Sequence, residues 1–221
     1  MASRARKSKH GARQEKAGLR LGVAGAVILG ALVTCCIAVV VMCTVWLQDL
    51  PDYNDASAYN YAEKTKVYAN DGTTLLAEFY LENRDPIDLD EMGTYVTKGT
   101  VATEDERFYQ HNGIDVLGIA RAIWVNVTHT GHEGASTITQ QFVRNTILAD
   151  EATESTLKRK VREAYIAIKL EESYSKDEIL QMYLNTINYG QGAYGIQAAA
   201  QRYYNKDAKD LTIAQAATLI G

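Results

Sequence analysis

From Leu21 to Gln48 the chain carries no charged side chain. The run is rich in Val, Leu, Ile and Ala, with Trp46 near its outer end. A bilayer core takes about 20 apolar residues in helical form, so the run is long enough to cross with some tilt. No other feature restricts the fold as strongly. A secretory leader fits less well, because its apolar core spans roughly 7–15 residues and ends at a small-residue cleavage site. Residues 1–20 carry seven basic side chains (Arg4, Arg6, Lys7, Lys9, Arg13, Lys16, Arg20) against Glu15 alone. A flank rich in Lys and Arg stays in the cytoplasm. The sequence therefore predicts a single-pass anchor in the cell membrane, with the N-terminus cytoplasmic and the bulk of the chain extracytoplasmic. Beside a span, the basic tail is expected to meet anionic headgroups rather than nucleic acid.

The 221 residues, 47 % of them hydrophobic, suffice for one good-sized core plus the anchor. The net charge of -4 hides an asymmetry: beyond residue 20 there remain 16 Lys and Arg against 26 Asp and Glu, a balance of -10. A polyanionic substrate would then need the basic groups concentrated at its site. Cys35, Cys36 and Cys43 all lie within the apolar run. None is available to the outer domain for a disulfide or a metal. The expected organisation is a basic cytoplasmic tail over 1–20, a transmembrane helix over 21–48, a juxtamembrane linker over 49–63 and an outer domain after it. The linker holds Tyr53, Tyr59 and Tyr61, which suit the headgroup level.

Asn70-Asp71-Gly72 between Lys66–Ala69 and Thr74–Phe79 predicts a small β-hairpin. After Asp85-Pro86 the signals turn helical. Asp115 can cap a helix in which Val116, Ile119, Ala120, Ile123, Trp124 and Val127 recur at three- and four-residue steps, with Arg121 and Asn126 off that face. The face would be turned either to the core or into the bilayer. Thr137-x-x-Gln140 is a capping box that opens a helix after the small-residue loop Glu133–Ser136. Its free N–H groups and dipole suit an anion. A helix over about 155–172 carries Leu157, Val161, Ala164, Tyr165 and Ile168 on one stripe, with Arg159 and Glu163 on the opposite face. Such a face is usually solvated and laced with ion pairs. Ser175-x-x-Glu178 opens the next helix, residues 196–204 form another, and a last one starts at Thr212. The glycines 190, 192 and 195 lack the Lys-Ser/Thr of a phosphate-binding loop. His129-Thr130-Gly131-His132-Glu133 lacks the order of a zinc motif.

Glu104-Asp105-Glu106 runs into Phe108, Tyr109, His111 and Gly113. Carboxylates this close repel one another, which favours holding one of them protonated. Aromatic walls beside such a group are the usual setting of a general acid or base. Alone, the stretch also fits a solvated helix end. Set beside a polar helix start, a basic helix with a lone glutamate and a membrane anchor, it suggests sugar chemistry on a lipid-linked substrate.

The series Glu104-Asp105-x-x-Phe108-x-x-His111-x-Gly113, Gly134-x-Ser136-Thr137-Ile138-Thr139-Gln140-Gln141, Arg159-Lys160-x-x-Glu163, Lys176-x-x-Ile179-Leu180-x-x-Tyr183-Leu184-Asn185 and Arg202-Tyr203-Tyr204 resembles the peptidoglycan glycosyltransferase family. That is the transglycosylase module of class A penicillin-binding proteins and of monofunctional transglycosylases. The resemblance covers about residues 64–221 and implies a mainly α, lysozyme-like helical domain. It implies that lipid II is the acceptor and a growing lipid-linked glycan the donor. Glu104 would be the general base, and Glu163 a second essential carboxylate orienting the donor diphosphate or a divalent cation (Mg or Mn). Arg144, where Lys is common in the family, would bind pyrophosphate together with Arg159, Lys160 and Arg162. Ser136, Thr137, Gln140 and Gln141 would line the donor site. Asp105 and His111 would hold Glu104 in place, and Asn185 would cap its helix or touch substrate. Arg202 would bind substrate, although the family motif has its Tyr-Phe pair a few residues further on. The resemblance also implies cell-wall synthesis partners and a transpeptidase domain in a longer protein. The alternative is a lysozyme-like muramidase or lytic transglycosylase, which would need no diphosphate-binding cations.

Overall fold

The structure is a computed structural model that describes residues 25–53, 65–79, 82–128, 131 and 134–221. The basic tail, Tyr59, Tyr61, His129, His132 and Glu133 lie outside the described residues. The chain divides into two compact units, Met1–Asp49 and Leu50–Gly221. In the first, helix α1 (Gly25–Trp46) is 22 residues long, about 33 Å at 1.5 Å per residue. Its hydroxyls bond inside the helix, Thr34 Oγ1 donating to the Gly30 carbonyl at 2.9 Å and Thr44 Oγ1 to that of Val41 at 2.8 Å. Hydrocarbon demands such internal satisfaction of polar groups.

The second unit begins with Leu50 and Tyr53 packed on the core, Tyr53 lying edge-on to Tyr165 at 6.1 Å. The predicted hairpin forms from β1 (Thr65–Tyr68) and β2 (Leu75–Phe79), antiparallel, with Thr65 opposite Phe79. In its turn Asp71 accepts hydrogen bonds from Thr74 and Thr73, which lower its carboxyl to about 2. A two-residue strand, β3 (Asn83–Arg84), later pairs in parallel with β4 (Ala193–Tyr194).

Five helices and short 3₁₀ turns come first in the described part of this unit after the hairpin and β3. Helix α2 (Thr94–Glu104) carries no apolar periodicity and was not separately expected; it buries only Val96 and Thr100 and packs against the final helix. Helix α3 (Val116–Val127) starts at Asp115, whose Oδ1 accepts from Gly118 N at 3.0 Å. Helix α4 (Ile138–Asn145) starts at the Thr137/Gln140 capping box. Helices α5 (Leu157–Ser173) and α6 (Lys176–Thr186) start at Thr156 and at the Ser175/Glu178 box. Two more complete the unit, α7 (Ile196–Tyr204) and α8 (Ile213–Ile220).

Helix α4 is the centre of the core. It packs on α5 and α6, and Ile138, Phe142 and Val143 are fully buried with Ile166, Leu170, Ile179, Leu180 and Leu184. Removing a buried Phe ring of this kind costs about 3–5 kcal/mol, so α4 is a rigid platform. The face of α3 left open by its sequence turns away from this core. Val116, Leu117, Ile123, Trp124 and Val127 are 59–71 % exposed, whereas Gly118 and Ala122 are the buried contacts. At 100° per residue those five side chains and Ala120 share one wholly apolar stripe about 120° wide. The core-facing alternative does not hold.

Candidate active site

Glu104 is the last residue of α2, and Asp105 breaks the helix with φ -159° and ψ 75°. That break sends the neighbouring carboxylates to different partners. Asp105 is buried and its Oδ2 accepts from Ile138 N, the first amide of α4, at 3.1 Å. His111 Nε2 lies 3.0 Å from both Asp105 oxygens, and Lys176 Nζ lies 3.5 Å from His111 Nδ1. A neutral imidazole with its hydrogen on Nε2 satisfies both contacts, donating to Asp105 and accepting from Lys176. The loop carrying His111 is seated by Gly113, at φ +80°, where a Cβ would fall 2.7 Å from the backbone of α5. The Gly113 carbonyl accepts from Thr137 Oγ1 at 2.7 Å. Glu106 is exposed.

Glu104 itself is half-buried. Its Oε2 accepts from Gln141 Nε2 at 2.7 Å, and Gln141 Oε1 accepts from the Tyr183 hydroxyl at 3.0 Å. Two cavities meet at this carboxylate. One, about 550 Å³, is lined by residues 102–107, Asp115, Gly118, Arg121, the loop 134–137, Gln141 and Arg144. The other, about 440 Å³, is lined by Thr100, Tyr183, Ile187, Asn188, Tyr189, Tyr203, Tyr204 and the end of α8. Glu104 is the one residue common to both. Burial, and after it the Glu104 charge, push the phenols of Tyr183 and Tyr189 well above their usual range.

The first cavity carries both signs of charge, with Glu104, Asp105, Glu106 and Asp115 in its lining as well as three arginines. Arg107, Arg121 and Arg144 line it beside Ser136 and Thr137. Arg107 is partly spent on Asp115, at 2.6 Å. Burial opposes ionisation of the Asp115 carboxyl, but the Gly118 amide and Arg107 outweigh it and hold that group below its ordinary range. Lys160 reaches the cavity wall from α5, its Nζ donating to Ser136 Oγ at 2.8 Å and to Glu163 Oε2 at 2.9 Å. Its ammonium is held below the usual lysine range by burial first, then by Arg159 and Arg144.

Glu163 was expected to face the donor diphosphate or a divalent cation. Instead it is sealed, with its side chain 1 % exposed and both oxygens ion-paired, Oε1 with Arg159 and Oε2 with Lys160. It lines neither cavity. A carboxylate so enclosed can reach the first cavity only through Lys160, which it holds toward Ser136. Arg159 is spent in the same way, its Nε donating to the Glu154 carbonyl and its Nη1 to Glu163. For the same reason Glu163 does not fit a Mg or Mn ion: both oxygens already face cations. Among the described residues no group of three or more His, Cys, Asp or Glu is placed to hold a metal ion.

Other predicted residues fall outside the cavities. Arg162 is buried against Glu151 at 3.2 Å, so a diphosphate would have to displace that carboxylate. Asn185 is consumed by the chain: Oδ1 accepts from Ile87 N at 3.1 Å, and Nδ2 donates to Ile87 O at 2.9 Å. It fixes the segment before α2 and has no side-chain atom left for substrate. Gln140 is buried in the capping box, accepting from Thr137 N at 3.0 Å, and lines neither cavity. Thr137 serves the same box while its residue borders the first cavity. Arg202 is exposed and absent from both linings, whereas its neighbours Tyr203 and Tyr204 line the second cavity. That tyrosine-rich wall, with Arg107 and Arg121 opposite, is what the sequence reading missed. Tyr183 stood at a core period, Tyr189 lies beside the glycines, and Tyr203 and Tyr204 close α7.

The chain matches the family model described as Transglycosylase over residues 71–221. It is 40 % identical over 174 residues to penicillin-binding protein 1A of Rickettsia felis, covering 77 % of this chain and 22 % of that protein. It is 43 % identical over 196 residues to penicillin-binding protein 2D of Bacillus subtilis, covering 88 % of this chain and 28 % of that one. With penicillin-binding protein 1A of Vibrio cholerae the identity is 42 % over 174 residues, 78 % of this chain and 21 % of the relative. The chain thus spans about a quarter of the length of these curated relatives. The mainly helical, lysozyme-like architecture expected from the motifs is the one observed. With Glu104 at the end of α2 and its polar helix start at α4, the chain belongs to the transglycosylase family.

Proposed function

We propose that this chain is a membrane-anchored peptidoglycan glycosyltransferase that polymerises lipid II into glycan strands and releases undecaprenyl pyrophosphate. The observation that carries the reading is the position of Glu104, shared by two cavities of different chemistry. The one that Arg144 lines suits the donor, whose diphosphate gathers negative charge as it leaves. Arg144, Lys160 and the start of α4 would stabilise that charge where it develops. The tyrosine-lined one suits the acceptor sugar, because aromatic faces and phenol hydroxyls pack well against a pyranose. Glu104, between them, would take the proton of the acceptor 4-hydroxyl. That oxygen bonds to the donor anomeric carbon from the face opposite the diphosphate. The carbon–oxygen bond to the diphosphate breaks, its electron pair leaves with the phosphate oxygen, and the anomeric centre inverts.

Helix α1 serves as the anchor, with residues 1–20 in the cytoplasm and the outer domain across the membrane. The apolar stripe of α3 would rest in the headgroup–acyl boundary, which brings the cavities to a lipid-linked substrate. A transpeptidase domain beyond residue 221 and cell-wall synthesis partners belong to the same proposal, motivated by the relatives; the downstream reading frame tests the former. A hydrolase would leave the Arg144–Lys160 side without a purpose, since cleavage of a neutral glycosidic bond expels no diphosphate.

The test is Glu104→Gln in the full chain, in detergent micelles with labelled lipid II. Loss of a general base predicts a rate lower by about 10²–10⁴-fold, with the melting temperature unchanged. Retention of more than about a tenth of the wild-type rate would sink the assignment.

A further inference from the structure

Glu104 is held by one hydrogen bond from a side chain whose own orientation is ambiguous. An amide can present either its oxygen or its nitrogen, and only the nitrogen can donate to a carboxylate. Gln141 donates through Nε2 to Glu104 Oε2 at 2.7 Å. On its other side, Tyr183 donates its hydroxyl to Gln141 Oε1 at 3.0 Å. The ring of Tyr183 is fully buried in the core beneath α6, so the hydroxyl cannot swing away. Rotating the amide by half a turn would set Oε1 against the carboxylate and Nε2 against the phenol.

We infer that Tyr183 is a positioning residue for the glycosyl transfer, fixing the Gln141 amide so that Glu104 is held by Oε2 and keeps Oε1 for the acceptor hydroxyl. The relay crosses the wall between the two cavities. Gln141 borders the one lined by Arg144, Tyr183 the tyrosine-lined one, and Glu104 both. Glu104 Oε1 receives no hydrogen bond from the described residues. Burial keeps the phenol protonated far above neutral pH, so it remains a donor throughout the working range. The backbone supports the same geometry. Asp105 grips the first amide of α4, Ile138, and Glu104 meets Gln141 three residues later on the same face.

This inference rests on Glu104 acting as base, and the experiment separates the two. Tyr183→Phe keeps the ring and removes only the hydroxyl. In the full chain with labelled lipid II it is expected to lower kcat about 10-fold, leave KM within about twofold, and move the acidic limb of the pH–kcat profile to higher pH. The limb moves because an amide free to turn no longer donates steadily to the carboxylate. Gln141→Leu is expected to move the limb in the same direction, and the double variant to be no worse than Gln141→Leu alone, because the two groups act in series. A Tyr183→Phe profile with an unmoved limb, or kcat losses that multiply in the double variant, overturns the relay. If Tyr183→Phe lowers the melting temperature, the limb position, which is independent of the folded fraction, still decides. Should Glu104→Gln stay active, the base assignment fails; should it be inactive while Tyr183→Phe behaves as wild type, only the relay fails.

Discussion

Replacing Glu163 by Gln tests whether the sealed carboxylate is there for the fold, for the donor, or for both. Its partner Arg159 is 8 % exposed and Glu163 itself 1 %, so solvent does little to screen this pair. Lys160 is 41 % exposed and can turn to water, so its share is small. Removing one member of a buried pair leaves the other charge stranded, at a cost of about 3–5 kcal/mol. The amide oxygen of Gln still accepts from Arg159, which places the expected loss near the lower end, about 3 kcal/mol. For a domain of this size that corresponds to a fall of about 6–12 °C in the melting temperature. The assay is thermal unfolding followed by circular dichroism at 222 nm on the full chain in micelles. Arg159→Met with Glu163→Leu, which removes both charges, should recover at least half of the loss. It should not recover polymerisation, because Lys160 then loses the partner that aims it at Ser136. A fall under about 3 °C for Glu163→Gln, or no recovery in the double variant, would refute the reasoning.

Two further outcomes follow from the same geometry. Because Lys160 is held below its ordinary range, it should lose its proton earlier on the alkaline side than a free lysine, raising the KM for the lipid-linked donor. The sign differs for stability: a depressed lysine opposes folding while charged, and that penalty fades as pH rises through the folded-state value. Lys160→Arg, which stays charged, should push the alkaline limb of the kcat/KM profile upward; an unchanged limb would remove Lys160 from donor binding. For α3, a Trp46→Phe chain in vesicles leaves Trp124 as the single tryptophan. Its fluorescence should be quenched by acyl chains brominated near the headgroup, and the absence of quenching would show that the stripe faces water.

What the sequence made legible is the part of the structure built from local chemistry. Thr137-x-x-Gln140, Ser175-x-x-Glu178 and Thr212-x-x-Gln215 each form the reciprocal pair their spacing implies, and each opens a helix at the expected residue. Asn70-Asp71-Gly72 makes the turn of the hairpin. Helix α2 was illegible because its burial is supplied from far along the chain. Gly99 lies against Ile220, where a Cβ would come within 2.8 Å of the Ile220 side chain. Glu163 in a run of basic residues looks solvated from the sequence, and only the packing of α5 on α4 encloses it. Arg162, a cation on the same helix, is taken by Glu151 of a 3₁₀ turn. For tyrosines the period showed burial of Tyr183 but not which cavity its hydroxyl borders. A side chain with an apolar body and a polar tip serves both purposes at once.

The acidic triplet shows how backbone geometry converts a repeated residue type into separate roles. Three adjacent carboxylates on an unbroken helix would fan out by 100° steps and share one end of it. Here the helix stops between the first and the second. Glu104 is left projecting from the end of a helix anchored by α8, and Asp105, in extended conformation, turns inward to α4 and His111. The cost of burying Asp105 is offset by two donors, Ile138 N–H and His111 Nε2–H, with Lys176 beyond them against the other ring nitrogen of His111. That buried knot ties the end of α2 to the start of α4, the two elements that carry Glu104 and Gln141. The separation of Glu104 and Gln141 therefore depends on Asp105, one residue away in sequence, as well as on the glutamate side chain. If Glu104 is the base, Asp105 would influence the reaction geometry from the wall of the same cavity. A substitution there should disturb activity by moving Glu104 relative to Gln141 even when both side chains are intact, in the way that small displacements from a supporting residue lower rates out of proportion to their size.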